Sequence, residues 1–229
     1  PREPVGGAGD VPADVAETGP LAVDGRDGPF VETTAVAVEA DSTDVRRIAS
    51  ALERAERPLI VAGPADPPVP DGDAIASLAG ATSAPVLADP LSNVRFGSHV
   101  GDATILGGYD AYFGPDRETD LPAPDVVVRF GASPTSKRLR KYLAETTPRQ
   151  FLVDPAGEWR EAEFVATDLV VADPERLARN LAAAIDRDCD SRSDWRDQLL
   201  DLERRHWSLL SASDAPLEGR ILHQAFALA

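Results

Sequence analysis

From Asp41 onward, short unbroken apolar runs alternate with stretches whose apolar residues recur every three or four positions. The first stretch, Asp41 to Ala55, places Val45, Ile48, Ala49 and Leu52 at helical spacing behind Asp41 or Ser42 as a cap. Pro58 to Gly63, PLIVAG, follows as an uninterrupted apolar run and predicts a buried parallel strand. The alternation then predicts a helix over Ala74–Ala81, a strand over Pro85–Ala88, and a helix over Ala103–Phe113 that Gly107 and Gly108 weaken. Next come a strand at Val126–Phe130, a helix at Pro134–Glu145, and short strands at Phe151–Val153 and Leu169–Ala172, with Phe164–Ala166 as a further candidate. A helix capped by Asp173 and opened by Pro174 runs to Ile185. Strands alternating with helices predict an α/β fold: a Rossmann-like, doubly wound, mostly parallel sheet with helices on both faces.

The flanks read differently. Pro1 to Val31 mixes glycine, proline and alanine with acids and sustains no period, which is linker composition. Asp194 to Leu210 predicts an amphipathic helix using Trp195, Leu199, Leu202 and Trp207; Asp214-Ala-Pro breaks it, and Glu218 to Leu228 opens another. The expected partition is a linker over 1–40, a central domain over 41–190 and a connecting segment over 191–229. With Pro1 as first residue and no methionine, the chain reads as a piece of a longer polypeptide.

Charge narrows the partners. The 229 residues carry 39 acidic and 23 basic side chains, a formal charge of −16, which argues against nucleic acid and against anionic membrane, both of which need a basic footprint. The acids are mostly Asp and the bases mostly Arg, a bias that resembles proteins of salt-accumulating halophiles, whose dense carboxylate surface works under strong screening. One cysteine, Cys189, leaves no internal disulfide and points to reducing cytoplasm. No apolar run approaches the roughly 20 residues that span a bilayer.

Against that background one stretch stands out. Asp125 to Leu143, DVVVRFGASPTSKRLRKYL, holds both lysines of the chain, Lys137 and Lys141, among arginines. If Ser133 caps the helix and Pro134 opens it, Lys137 and Arg138 fall near the end of the first turn, where the macrodipole disfavours each cation by ~0.3–1 kcal/mol. By 100° steps Lys137 and Lys141 lie opposite Leu139, Tyr142 and Leu143, so the basic face points away from its own core. Two accounts stay open: cations offsetting nearby carboxylates on a solvated face, or a site for a small polyanion held by lysine as point charge and arginine as fork.

Other constellations say less. After the first strand, Gly63-Pro-Ala-Asp-Pro-Pro-Val-Pro replaces a glycine-rich turn, and its prolines remove the amide donors that the pyrophosphate of NAD or FAD requires. The loop Asp89-Pro-Leu-Ser-Asn-Val-Arg95 after the second strand offers one cation. His99, His206 and His223 lack metal-ligand spacing, Asp186 to Asp190 lacks the glycine and terminal glutamate of a calcium loop, and no Gly-x-Ser-x-Gly elbow occurs.

Five pieces, taken in order, carry a resemblance: Arg2-Glu-Pro4, Pro85-Val-Leu-Ala-Asp-Pro-Leu-Ser-Asn-Val-Arg95, Tyr109-Asp110, Arg129-Phe-Gly-Ala-Ser-Pro-Thr-Ser-Lys-Arg138 and Gly157-Glu-Trp-Arg160. Over most of Pro1 to Ile185 they resemble the central part of the 2-succinyl-5-enolpyruvyl-6-hydroxy-3-cyclohexene-1-carboxylate synthase family of menaquinone biosynthesis, in a haloarchaeal form. The resemblance implies a C–C bond-forming transferase that uses thiamine diphosphate and Mg²⁺ and joins decarboxylated 2-oxoglutarate to isochorismate. It implies a homodimer or homotetramer whose pyrimidine-binding and diphosphate-binding domains precede and follow this chain. Its Ser-Lys motif maps a substrate contact onto Lys137, with Arg138 and Arg95 as neighbouring substrate-binding candidates. No catalytic, cofactor-binding or metal residue is expected within the chain, because the Gly-Asp-Gly of the diphosphate site has no counterpart: Pro70-Asp-Gly-Asp73 has the wrong order. The fragment alone is therefore expected to be inactive. Alternatives are a carboxylate-sensing or assembly module, and the central domain of another thiamine-dependent enzyme of the acetolactate-synthase type.

Overall fold

The computed structural model describes residues 28, 31, 32, 34, 37–101, 103–113, 121–186 and 193–213. The chain divides into two compact units, Pro1–Val36 and Ala37–Ala229, and every element below belongs to the second. The linker reading of Pro1 to Val31 and the helix expected over Glu218 to Leu228 fall almost wholly outside the described residues.

Six strands form one sheet: β1 Pro58–Ala62, β2 Val86–Ala88, β3 Ile105–Leu106, β4 Val126–Phe130, β5 Arg149–Val153 and β6 Asp168–Val170. Their order is β3-β2-β1-β4-β5-β6, and every neighbouring pair is parallel, as the alternation predicted. The helices are α1 Ser42–Arg54, α2 Gly72–Thr82, α3 Tyr109–Tyr112, α4 Lys137–Thr146, α5 Pro174–Ala184 and α6 Ser193–Ala212. None of the described helices is long and apolar enough to cross a membrane.

Strand alternation sorts the core onto two faces. Ile60, Ala62, Val86, Val128, Phe130, Phe151 and Val153 face α1, α2 and α5. Leu59, Val61, Leu87 and Val127 face the other way, onto Leu139, Tyr142 and Leu143 of α4 and Trp195 and Leu199 of α6. Trp195 seals that layer by donating its indole N–H to the Pro58 carbonyl at 2.9 Å. Asp41, Asp71 and Asp173 cap α1, α2 and α5, each accepting from a backbone N–H of the first turn.

Three expectations change. No helix runs from Ala103 to Phe113: a 3₁₀ turn at Ser98–Gly101 leads into β3, and only α3 is helical. The reason is at Gly107 and Gly108, which weaken a helix and whose N–H groups donate to Glu203 at 2.8 and 2.9 Å instead of to carbonyls four residues earlier. Phe164–Ala166 is loop rather than strand, with Phe164 at φ 56°. Helix α4 starts at Lys137 with Ser136, not Ser133, as its cap. Ser133 is engaged elsewhere: its Oγ accepts from Arg129 Nη2 at 3.2 Å and from the Ala162 N–H at 2.8 Å.

The strand order reverses between β1 and β4, the place where open α/β sheets usually bind a ligand. Here that crevice is stitched shut. Gly63 N–H donates to the Phe130 carbonyl at 2.9 Å and Ala132 N–H to the Pro64 carbonyl at 2.8 Å. A Cβ on Gly63 would sit 2.0 Å from the Ala132 oxygen, and Gly131 takes φ 81° to keep the two loops in contact.

Candidate functional site

With the switch point closed, the open space lies one strand over, beside the start of α4. A cleft of about 920 Å³ opens between α4 and the loops that follow β2 and β3. Lys137, Arg138 and Lys141 form its basic wall; Tyr109, Phe113 and Tyr142 form an aromatic one. Phe113 and Tyr142 stack with centroids 4.4 Å apart and 23° between planes, a buried pair that backs the cleft next to the cations.

The basic wall is held in place by the polar side chains beneath it. Ser136 Oγ accepts from the Leu139 N–H at 3.1 Å and donates to Asp110 Oδ1 at 2.5 Å. Arg138 Nη1 donates to the Asp110 carbonyl at 2.8 Å. Asp89, fully buried at the end of β2, accepts from the Thr135 N–H and hydroxyl at 2.7 and 2.8 Å and so locks the turn before α4. Burial, the Asp89 charge and the Asp110 charge push the Tyr109 hydroxyl well above its ordinary value, against a smaller pull from Arg95, so it stays a neutral phenol in the cleft.

Lys137 and Lys141 are both exposed, and among the described residues neither has an ion pair or hydrogen bond. Glu145 shares their cleft without closing on either one. Their outward orientation, read from the helical wheel, is what the structure shows.

Of the residues singled out from sequence, Lys137 and Arg138 lie in the cleft wall. Arg95 lies beside it: its Nη1 donates to the Ala88 carbonyl at 3.4 Å, its guanidinium covers Gly107, and Phe96 sits 5.7 Å from it. Arg95 is thus spent on the loop rather than brought together with the other two. Sequence reasoning missed the aromatic wall, although Tyr109 and Phe113 are at i, i+4 spacing, and missed Asp110 as the tether of α4.

It also missed Glu203. This buried carboxylate of α6 accepts from the N–H groups of Gly107 and Gly108 at 2.8 and 2.9 Å, from the Tyr112 hydroxyl at 2.9 Å and from Trp207 Nε1 at 2.7 Å. Burial and the Glu203 charge push the Tyr112 phenol far up.

Among the described residues no three acidic, histidine or cysteine side chains converge as metal ligands.

A parallel sheet in the order 3-2-1-4-5-6 with a basic cleft beside it describes an α/β domain of the doubly wound kind. The chain belongs to the family of thiamine pyrophosphate middle domains, whose family model matches residues 27–221. Within that class it is similar to 2-succinyl-5-enolpyruvyl-6-hydroxy-3-cyclohexene-1-carboxylate synthases: 51% identity over 229 residues to that of Natronomonas pharaonis, covering 99% of this chain and 38% of the relative. The Halobacterium salinarum synthase is 50% identical over 226 residues, 96% of this chain and 38% of the relative. That of Chloroflexus aurantiacus is 41% identical over 143 residues, 62% of this chain and 24% of the relative. The chain thus spans 38% of the length of the first two relatives.

Proposed function

We propose that this chain is the central, substrate-gripping part of a synthase that adds decarboxylated 2-oxoglutarate to isochorismate in menaquinone biosynthesis. The observation that carries the reading is that, among the described residues, the side chains of Lys137 and Lys141 stand on a cleft wall with no ion pair, in a chain of strongly acidic composition. A lysine with no carboxylate on it among the described residues is available to an anion from outside, and both proposed substrates are dianions. Lys137 supplies a point charge to a substrate carboxylate, and Arg138, oriented by Asp110, a fork beside it. Arg95 stays in the proposal only through its place beside Gly107, as a residue that shapes the loop.

Thiamine diphosphate and Mg²⁺ belong, in this proposal, to parts of a longer cytoplasmic homodimer or homotetramer outside the chain. When bound they supply the carbanion chemistry; this chain orients the acceptor and helps exclude water from it. Replacing Lys137 with Ala in the full-length enzyme removes one charge-assisted contact, worth ~1.5–3 kcal/mol, so kcat/KM for isochorismate should fall by roughly tenfold to a hundredfold. Unchanged kinetics would remove Lys137 from the site. A second reading, a carboxylate-sensing module, draws on the basic wall of the cleft; saturable isochorismate binding to the 229 residues by themselves would favour it.

A further inference from the structure

The connection from β5 to β6, residues 154–167, contains no helix, unlike the connections between β1 and β2 and between β4 and β5. Its polar part does cover the sheet: Glu161 pairs with Arg129 at 3.1 Å, and Asp154 with Arg160 at 2.8 Å. Beyond that the layer stops. Val170 and Ala172 point into the core beside α1, α2 and α5, so Leu169 and Val171 face the opposite side, where they are 44% and 43% exposed. From the same connection, Trp159 and Phe164 stand 55% and 73% exposed and meet edge to face with centroids 5.8 Å apart. Gly157 lies against Val171, where a Cβ would touch Cγ2 at 3.4 Å, and so joins the Trp159 loop to the strand. Phe164 takes a left-handed backbone, φ 56°, that bulky residues rarely adopt.

The chemistry around the patch describes its occupant. Its charged rim is already paired within the chain: Arg160 with Asp66, Arg140 with Glu163 and Arg149 with Asp168. Nothing there calls for a charged partner. The exposed area of the four side chains is on the order of 400 Å², taking ~150–250 Å² for a whole aromatic side chain. A stable association of separate molecules needs about 800 Å² from each partner, so this patch does not hold a second copy by itself. A segment of the same polypeptide needs far less, because a short connection raises its effective concentration to about the millimolar range. The synthases to which the chain is similar carry more than half of their length outside the matched region.

We propose that Trp159, Phe164, Leu169 and Val171 are the seat of another domain of the same longer polypeptide, which presents an apolar face with an uncharged rim. The inference needs only the longer polypeptide and not the synthase activity, so it stands or falls apart from the role given to Lys137. The test is photo-cross-linking in the full-length protein, with benzoylphenylalanine in place of Phe164, in assemblies made from mixed light and heavy isotope subunits. The expected result is a cross-link from position 164 to residues outside these 229, found in light–light and heavy–heavy products alone. Light–heavy products would assign the patch to a second copy and overturn the proposal. So would cross-links confined to the 229 residues, or none at all.

Discussion

Arg129 and Lys137 lie eight residues apart on one strand–turn–helix segment, and they end in opposite states. Arg129 is buried, with Nη1 3.1 Å from Glu161, Nη1 again on Gln150 and Nη2 on Ser133. Lys137 is exposed in a cleft that Glu145 shares, and among the described residues no carboxylate pairs with it. The first cation has its anion in the chain, and the pair holds the 154–167 connection onto the sheet. The second stands against the dipole of α4, whose first turn holds no acidic residue to compensate it. One segment thus contains both a closed charge site that builds the fold and an open one that the fold does not need. That difference separates structure from function more sharply than exposure alone.

The closed site should fail most severely when it is opened. Glu161→Gln keeps the shape but leaves Arg129 buried beside an amide, and breaking a buried pair from one side costs ~3–5 kcal/mol. Urea denaturation at neutral pH should show that loss, with a midpoint well below that of the unaltered chain. The pH dependence carries a matching sign. Burial raises the Glu161 carboxyl, but the N–H groups of Glu163 and Val165 and the Arg129 charge outweigh it and leave it below its ordinary 4.5. A depressed carboxyl contributes stability that is fully present above the unfolded value and is lost as pH falls through the folded one. The gap between the two proteins should therefore be widest above about pH 4.5 and narrow below it. A gap that persists unchanged into acid would mean the pair is not what Glu161 contributes.

Glu203 sharpens the comparison from the other side, because it is an anion supplied from within to a short helix start. Gly108 caps α3 without a side chain, and Glu203 reaches across from α6 to take the N–H groups that the glycines expose. Glu203→Gln keeps one acceptor oxygen and turns an NH₂ toward donors, so roughly 1.5–3 kcal/mol should be lost, the worth of a hydrogen bond to a charged group. Thermal unfolding should register this as a lower Tm. Amide exchange should quicken at Gly107 and Gly108 before it does in β1. If exchange at the glycines does not change, the carboxylate is not what organises that loop.

Legibility followed the range of the interactions. Strands β1, β4 and β5 announce themselves because each is buried along nearly its whole length and needs an apolar run. β3 has two residues, too few for any pattern, and its place is set by pairing of Ile105 and Leu106 with Val86 and Leu87 of β2. The cations of α4 are legible as local sequence, and the side on which they stand follows from 100° steps. Asp110 and Glu203 are not: Asp110 acts on Ser136 26 residues away, and Glu203 on Gly108 95 residues away, with no periodicity to mark either. The cap of α4 was misplaced for the same reason. Ser133 and Ser136 are equivalent as local caps, and the choice falls to the Arg129 and Ala162 donors that claim Ser133.

The smallest effect is also the one whose sign tells most. Lys137 occupies the first position of α4, next to its capping Ser136, where unsatisfied N–H groups already concentrate positive charge. Lys141 stands one turn on at i, i+4 and adds like-charge repulsion of a few tenths of a kcal/mol. Among the described residues Lys137 has no partner whose loss would oppose these gains. Lys137→Ala should therefore stabilise the fold by ~0.3–1 kcal/mol, read as a slightly raised Tm at low salt. Added salt should shrink the gain, because screening weakens both terms for an exposed charge. A substitution that stabilises the domain while lowering kcat/KM in the full-length enzyme is the signature of a residue kept for a ligand at the expense of its own fold. A lowered Tm would place Lys137 with Arg129 instead, as a cation the structure needs.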